Sequence, residues 1–274
     1  MSVVSRIGER VAAWDEVAEL YGEGVSPFGL FSEELVRLAA PVPGDRVLDL
    51  GTGNGLGLVP AARAARSGFV VGVDSSPAML RAAQRRAATA DVSNIAVVQA
   101  DVGRLGFPDG SFDVAMASSV FQFVGYAPEV LVEWRRVLRP GGRLVLSIPV
   151  ADAGSAATSV LRTLLTENRA KLPVELADKV QAAQPSPPDL EALCARSGFR
   201  GCTLHHYAPK VTVSDVHEWW AVQWSHGVRV LLRAFDDSTL DAMKARAAVL
   251  LQDIAGEDGA IPLDLKMAIC VAVR

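Results

Sequence analysis

Three glycines at alternate positions, Gly51, Gly53 and Gly55, end an apolar run that begins at Val47 and carries one acid, Asp49. Glycine permits a tight turn with left-handed backbone angles and lets a ligand touch the main chain. If a helix follows, its first N–H groups are free to meet that ligand. The spacing is not the dinucleotide pattern GxGxxG, which needs glycine at position 56, where Leu56 stands. Two more acids suit a nucleoside. Asp74 closes the next apolar run, roughly twenty residues on, where a carboxylate can accept both hydroxyls of a ribose. Asp101 and Val102 follow the third run, where an acid can hold an adenine amino group.

These residues need a scaffold, and the middle of the chain supplies one. Short β-rich runs at 46–50, 69–73, 95–99, 112–117 and 143–148 read as strands bounded by Gly, Pro, Asp or Ser. Helical stretches at 56–67, 77–89 and 128–138 separate them. This alternation predicts parallel βαβ units and a doubly wound α/β sheet. Nearly continuous apolar strands such as 47–50 and 70–73 fit a sheet buried on both faces. Ser76 can cap the helix opened by Pro77. Pro140, Gly141 and Gly142 stop the helix ending near Arg139 and turn the chain into the next strand.

The flanks read differently. Residues 1–40 form an N-terminal helical arm or lid with a Gly/Pro break at 22–27. Residues 41–150 form the core. Residues 151–274 complete the same domain: helical insertions at about 151–186 and 214–258, a helix ending at Gly198, a strand at 201–207 and a last strand at 263–273. The insertions are too long for plain connections and predict a lid over the sheet's active edge.

Composition bounds the function. The 274 residues are 50% apolar and 21% charged, with a net charge of −4, which is globular and not strongly basic. Nothing there attracts nucleic acid or anionic membrane. No apolar stretch approaches the roughly 20 residues of a membrane helix, and no signal-peptide pattern is visible. The three cysteines, Cys194, Cys202 and Cys270, lack CxxC spacing. They predict neither disulfides nor a metal site and fit a reducing cytoplasm.

The core resembles the class I S-adenosylmethionine (SAM)-dependent methyltransferases of the ubiquinone/menaquinone-biosynthesis-like, small-molecule type. The matching pieces are 47–55, Val73 to Met79, Ala100-Asp101, Phe107 to Asp113, Gln122-Phe123 and Arg136 to Arg143. One departure is Gly106, where the family usually has proline. The resemblance implies a Rossmann-like, doubly wound seven-stranded sheet with helical lid insertions. It also implies SAM as cofactor, with S-adenosylhomocysteine as product. The loop Gly51, Thr52, Gly53 and Gly55 would pass under the methionine part, and Asp49 would contact its amino group or instead cap the glycine loop. Asp74 would bind the ribose. Ser75 and Met79 would pack near the adenine, Asp101 and Val102 would read its edge, and Ser118 would border the sulfonium.

The acceptor side is less constrained. Gln122 follows the fourth strand and is placed to face the methyl group or to sit as a polar core residue. On a helix over 216–228, Trp220 and Trp224 share one face, while Trp219, Gln223 and His226 share another. Either face could wall a flat acceptor or pack the lid. His is the usual base near neutral pH. Among His205, His206, His217 and His226, the last is the preferred candidate. Glu167 could supply a carboxylate or lie on a surface helix. By resemblance the arm folds over SAM, so Tyr21 and Phe28 are expected to touch the acceptor. These features predict methyl transfer to a small hydrophobic or aromatic acceptor, such as a bacterial secondary metabolite or a quinone-like compound. Oxygen is favoured over nitrogen or carbon. The alternative is a SAM-binding protein that cyclises or rearranges its substrate, or serves as a binding partner. A nicotinamide oxidoreductase is disfavoured by Leu56. The oligomeric state stays open, a homodimer included.

Overall fold

A parallel sheet forms because most of its strands are apolar on both sides. The computed structural model describes residues 11–274 except 13, 23, 25, 151–155, 182–188, 226 and 264. The elements in chain order are α1 (Pro27–Ala39), β1 (Arg46–Leu50), α2 (Leu58–Ala64), β2 (Phe69–Asp74), α3 (Pro77–Thr89), β3 (Ile95–Gln99) and β4 (Phe112–Ser118). Then come α4 (Pro128–Val137), β5 (Leu138–Pro149), α5 (Ala156–Glu167), α6 (Val174–Gln181), α7 (Leu190–Arg196) and β6 (Arg200–Tyr207). The chain continues with β7 (Thr212–Val213), α8 (Val216–Trp224), α9 (Arg229–Leu232), α10 (Asp237–Gln252), β8 (Ile261–Pro262) and β9 (Met267–Val273).

Seven strands make one sheet in the order β3-β2-β1-β4-β5-β9-β6, and β7 pairs with β8 in a separate ribbon. Strands β1 to β5 run parallel, and β9 runs antiparallel to both β5 and β6. The order reverses between β1 and β4, so their carboxyl ends flank a crevice suited to a ligand. Apolar clusters fill both faces. Trp134, Leu131 and Phe121 lie on one, with Leu35, Leu58 and Ala61 on the other.

Helix caps set the elements near that crevice. The Ser76 hydroxyl accepts from the Met79 N–H at 3.1 Å, and Pro77 opens α3. The Trp134 indole donates to the Val102 carbonyl at 2.9 Å, fixing the turn after β3. The Arg136 guanidinium binds the Leu105 and Phe107 carbonyls, Asp109 and Glu133. This part of the motif therefore staples the β3–β4 connection and stands away from the crevice.

Several boundaries differ from expectation. Helix α2 begins at Leu58, not 56, because Gly55 and Gly57 prolong the loop. Helix α4 ends at Val137, and Leu138 already pairs with Phe112 before a register shift that absorbs Pro140 to Gly142. The helical region 214–255 divides into α8, α9 and α10. The last strand starts at Met267, since Ile261 is drawn into pairing with Val213. The proline run at 185–188 lies outside the described residues, and Asp189 caps α7 through the Ala192 N–H at 2.9 Å.

The insertions share a core of their own: Leu161, Leu164, Trp219, Trp220, Leu232, Met243 and Leu251. Among the described residues, no helix is long and apolar enough to cross a membrane.

Candidate functional site

The glycine loop hangs off β1 at the switch point, and each glycine has a distinct reason. Gly51 has φ +64°, and a Cβ there would lie 2.3 Å from Val120 Cγ2, so the loops after β1 and β4 touch only because it is glycine. Gly53 has φ +53°, and its Cβ would meet only the Met79 sulfur, at 4.0 Å. That side of the loop is open to a ligand. Gly55 packs against Ala83 of α3.

Carboxylates hold the loop. Asp74 Oδ2 accepts from the Gly53 N–H at 2.9 Å, and its Oδ1 accepts from the Ser76 N–H at 2.9 Å. Each oxygen keeps a second acceptor site for a ligand hydroxyl. Burial raises the Asp74 carboxyl above its ordinary pKa, against the lowering effect of the backbone bonds from Ser76, Gly53 and Ser75. Asp49 is 3% exposed and accepts from the Thr52 hydroxyl at 2.6 Å. Burial, helped by the Asp74 charge, pushes Asp49 up to about 7, against the lowering effect of Thr52.

An unfilled buried acid of this kind costs stability. A raised carboxyl pKa favours the folded state fully below the unfolded value, and that contribution is lost as pH rises through about 7. Asp49→Asn keeps an acceptor for Thr52 and removes the charge. We expect the unliganded variant to be roughly 1–2 kcal/mol more stable than the parent at pH 8, with no gain at pH 4. Urea unfolding at the two pH values checks this; equal effects at both would show that the Asp49 charge is not the cause.

The cleft between these elements has a volume of about 240 Å³. Asp49, Gly51, Thr52, Gly53, Asp74, Ser75, Met79, Asp101, Val102 and Ser118 all line it. Gly55 is the one expected loop residue outside the lining. Asp101 is exposed, and its Oδ1 accepts from the Gly103 N–H at 2.8 Å. Among the described residues, no lysine, arginine or histidine lines the cleft. A second groove, of about 540 Å³, shares Asn54 and Leu56 but holds Arg63, Arg85 and Arg86 and none of the three aspartates.

The N-terminal arm closes one side. Trp14, Val17, Ala18 and Tyr21 recur at i, i+3, i+4 and i+7, the spacing of one helix face. Val17 and Ala18 are buried against Met79 and Ala82. Asp15 Oδ1 accepts from the Ser76 hydroxyl at 2.6 Å and the Ala78 N–H at 3.0 Å. The Asn54 amide donates to the Tyr21 carbonyl at 2.6 Å. Tyr21 stacks on Phe28 with centroids 5.0 Å apart, and Trp14 meets Tyr21 and Phe123 edge-on. Burial, then the Asp74 charge, raises the Tyr21 phenol to about 12, so Tyr21 is a neutral wall and donor, not a base. Tyr21 lines the cleft; Phe28 stands behind it.

Asp15→Ala removes both latch bonds. We expect faster amide exchange across 14–22 and a roughly tenfold loss of SAM affinity. Unchanged exchange would mean that hydrophobic contact alone seats the arm.

The other acceptor candidates disperse. Trp220 is buried in the lid core, and Trp224 packs partly buried against it. Neither lines the cleft, because the apolar faces of the insertion helices pack on one another. Gln223 donates to the Trp219 carbonyl at 2.9 Å. His205, His206 and His217 are exposed, and His226 lies outside the described residues. Glu167 pairs with Arg246 at 3.3 Å. Gln122, in the turn Phe121–Val124, donates to the Ser119 carbonyl at 2.9 Å, while its Oε1 is buried without a partner. Ser119, Val120, Phe123 and Val124 of the same stretch do line the cleft. Sequence reasoning missed Asp15, Trp14, Ser32, Asn54 and Phe123. Only the arm's helical spacing offered a signal for the first two.

Residues 48–146 match the family described as Methyltransferase domain. The chain is 37% identical over 145 residues to the aklanonic acid methyltransferase DauC of Streptomyces sp. strain C5, covering 52% of this chain and 66% of that one. It is 38% identical over 139 residues to the nocamycin O-methyltransferase of Saccharothrix syringae, covering 50% of each. The chain thus spans between half and two thirds of these relatives. The fold superposes on a Haemonchus contortus phosphoethanolamine N-methyltransferase 2 with TM-score 0.57 at 19% identity, covering 96% of this chain and 56% of that one. Residues 48–146, which run from β1 into β5, therefore carry the methyltransferase-domain match, and the seven-stranded sheet around them is the fold of a solved methyltransferase.

Proposed function

We propose that the chain is a methyltransferase that uses SAM to methylate a small hydrophobic or aromatic acceptor, on oxygen in preference to nitrogen or carbon. The observation that carries this is the makeup of the cleft: three aspartates, an aromatic wall of Trp14, Tyr21 and Phe123, and, among the described residues, no cationic side chain. The set fits SAM, a net cation with a ribose and an amino group. When bound, SAM supplies a methyl group on a positively charged sulfur. In this reading Asp74 holds the ribose, Asp49 the amino group, and Asp101 with Val102 the adenine edge. The arm and Phe123 exclude water and orient the acceptor. The described residues of the insertions pack on their own core and supply none of the cleft lining, so in this reading the arm and the turn after β4 bound the acceptor space. Gln122 and His226 are the proposed orienting group and base. The nocamycin relative, by its name an O-methyltransferase, supports oxygen. Matches named as methyltransferases support transfer over cyclisation or partner binding.

A panel of aromatic alcohols, aromatic acids and aliphatic amines tests the acceptor class. We expect enzyme-dependent O-methyl products from the aromatic members. Transfer confined to amines, or to protein or nucleic acid, would overturn the reading.

A further inference from the structure

Far along the chain from the cleft residues, three sulfur atoms meet. Cys194 lies on α7, Cys202 on β6 and Cys270 on β9, and their Sγ atoms all lie within 4.8 Å of one another. The Cys194 and Cys270 sulfurs are 3.8 Å apart. Cys270 pairs with Leu204 across the sheet, so Cys202, two residues before Leu204, shares its face. Helix α7 packs over that face. Chain separation hid the group, since no two of these cysteines are close enough in sequence to read as a motif.

Cys194 and Cys270 are buried, whereas Cys202 is half-buried and opens the group toward solvent. All three are free thiols. Among the described residues, no histidine or carboxylate joins the group as a ligand. Cys194 and Cys270 belong to an apolar cluster that also holds Leu190, Leu193, Phe199, Ala268 and Ala272, with Cys202 packed against it. The nearby Glu191 adds negative charge felt by Cys202 and Cys270.

We propose that Cys194, Cys202 and Cys270 form a binding site for one soft divalent metal ion, held by three sulfurs. Three sulfurs about 2.3 Å from one ion stand roughly 4 Å from each other, so the observed group closes on an ion with small side-chain shifts. An all-sulfur set selects soft ions over magnesium or calcium. On binding, three S–H bonds give way to three S–metal bonds and three protons leave to solvent. No oxidation state changes, and no other reactant is needed. A divalent ion leaves one net negative charge, whereas a monovalent ion leaves two in a largely apolar cluster. The bound ion ties α7 to the β6–β9 edge, and ligation of the folded form raises stability.

The test uses the untagged full chain, reduced and freed of metal, titrated with Cd²⁺ and separately with Zn²⁺. We expect one ion per chain by native mass spectrometry, thiolate-to-cadmium absorption in the ultraviolet, and protection from alkylation of the half-buried Cys202. Mg²⁺ should leave Cys202 reactive. Cys202→Ser, at the half-buried position, should fold and bind Cd²⁺ more than tenfold more weakly. If a buried variant such as Cys270→Ser does not fold, the ion stoichiometry and ultraviolet absorption of the parent still decide. No retained ion, a Cys202→Ser affinity within twofold of the parent, or Cys194–Cys270 oxidation with no metal uptake would each overturn the proposal.

Discussion

Gly53→Val is expected to fold and to lose SAM binding by more than about 100-fold, equivalent to more than roughly 2.7 kcal/mol. A Cβ at Gly53 meets nothing of the protein nearer than the Met79 sulfur at 4.0 Å, so the branched side chain enters the space beside the loop that the cofactor needs. The left-handed backbone at φ +53° adds strain of roughly 1–2 kcal/mol for a non-glycine residue, which a stable domain survives. The neighbouring position behaves differently. At Gly51 the same change drives a Cβ to 2.3 Å from Val120, so Gly51→Val is expected to disturb folding itself. Circular dichroism and calorimetry with S-adenosylhomocysteine separate the two. A folded Gly53→Val protein with parental affinity would show that the cofactor does not pass this loop.

Asp74→Ala is expected to weaken SAM binding by roughly 2–3 kcal/mol, a factor of about 30 to 150, because the proposed binding mode loses two charge-assisted hydrogen bonds to the ribose. The same carboxylate holds the Gly53 and Ser76 amides, so part of the loss comes through a loosened loop. Asp74→Asn retains acceptor capacity and should fall between the parent and alanine. Calorimetric affinity unchanged in Asp74→Ala would remove Asp74 as the ribose ligand.

The glycine-loop side of the cleft was readable in the sequence because its parts are local. A strand, a glycine loop and an acid at the end of the next strand depend on contacts between adjacent elements. β1 and β3 therefore match their expected spans, and Asp49, Gly53 and Asp74 meet in one cleft. The seating of the arm and the insertions depends on contacts distant in sequence. Asp15 reaches Ser76 across 61 residues, a pairing that no spacing within either segment announces. Trp220 has the same helical spacing whether it walls a pocket or fills a core; only packing against Leu161 and Met243 of the insertions decides for the core. The pairing of β7 with β8 was hidden for the same reason, as two-residue strands carry no period.

The most direct test of the account supplies SAM with an isotopically labelled methyl group, together with a small-molecule extract of the source organism. Mass spectrometry then follows the label. The account predicts a single enzyme-dependent product, hydrophobic and labelled on oxygen, that disappears with Gly53→Val. Confirmed SAM binding with no label leaving it for any acceptor across such extracts would contradict the methyl-transfer reading.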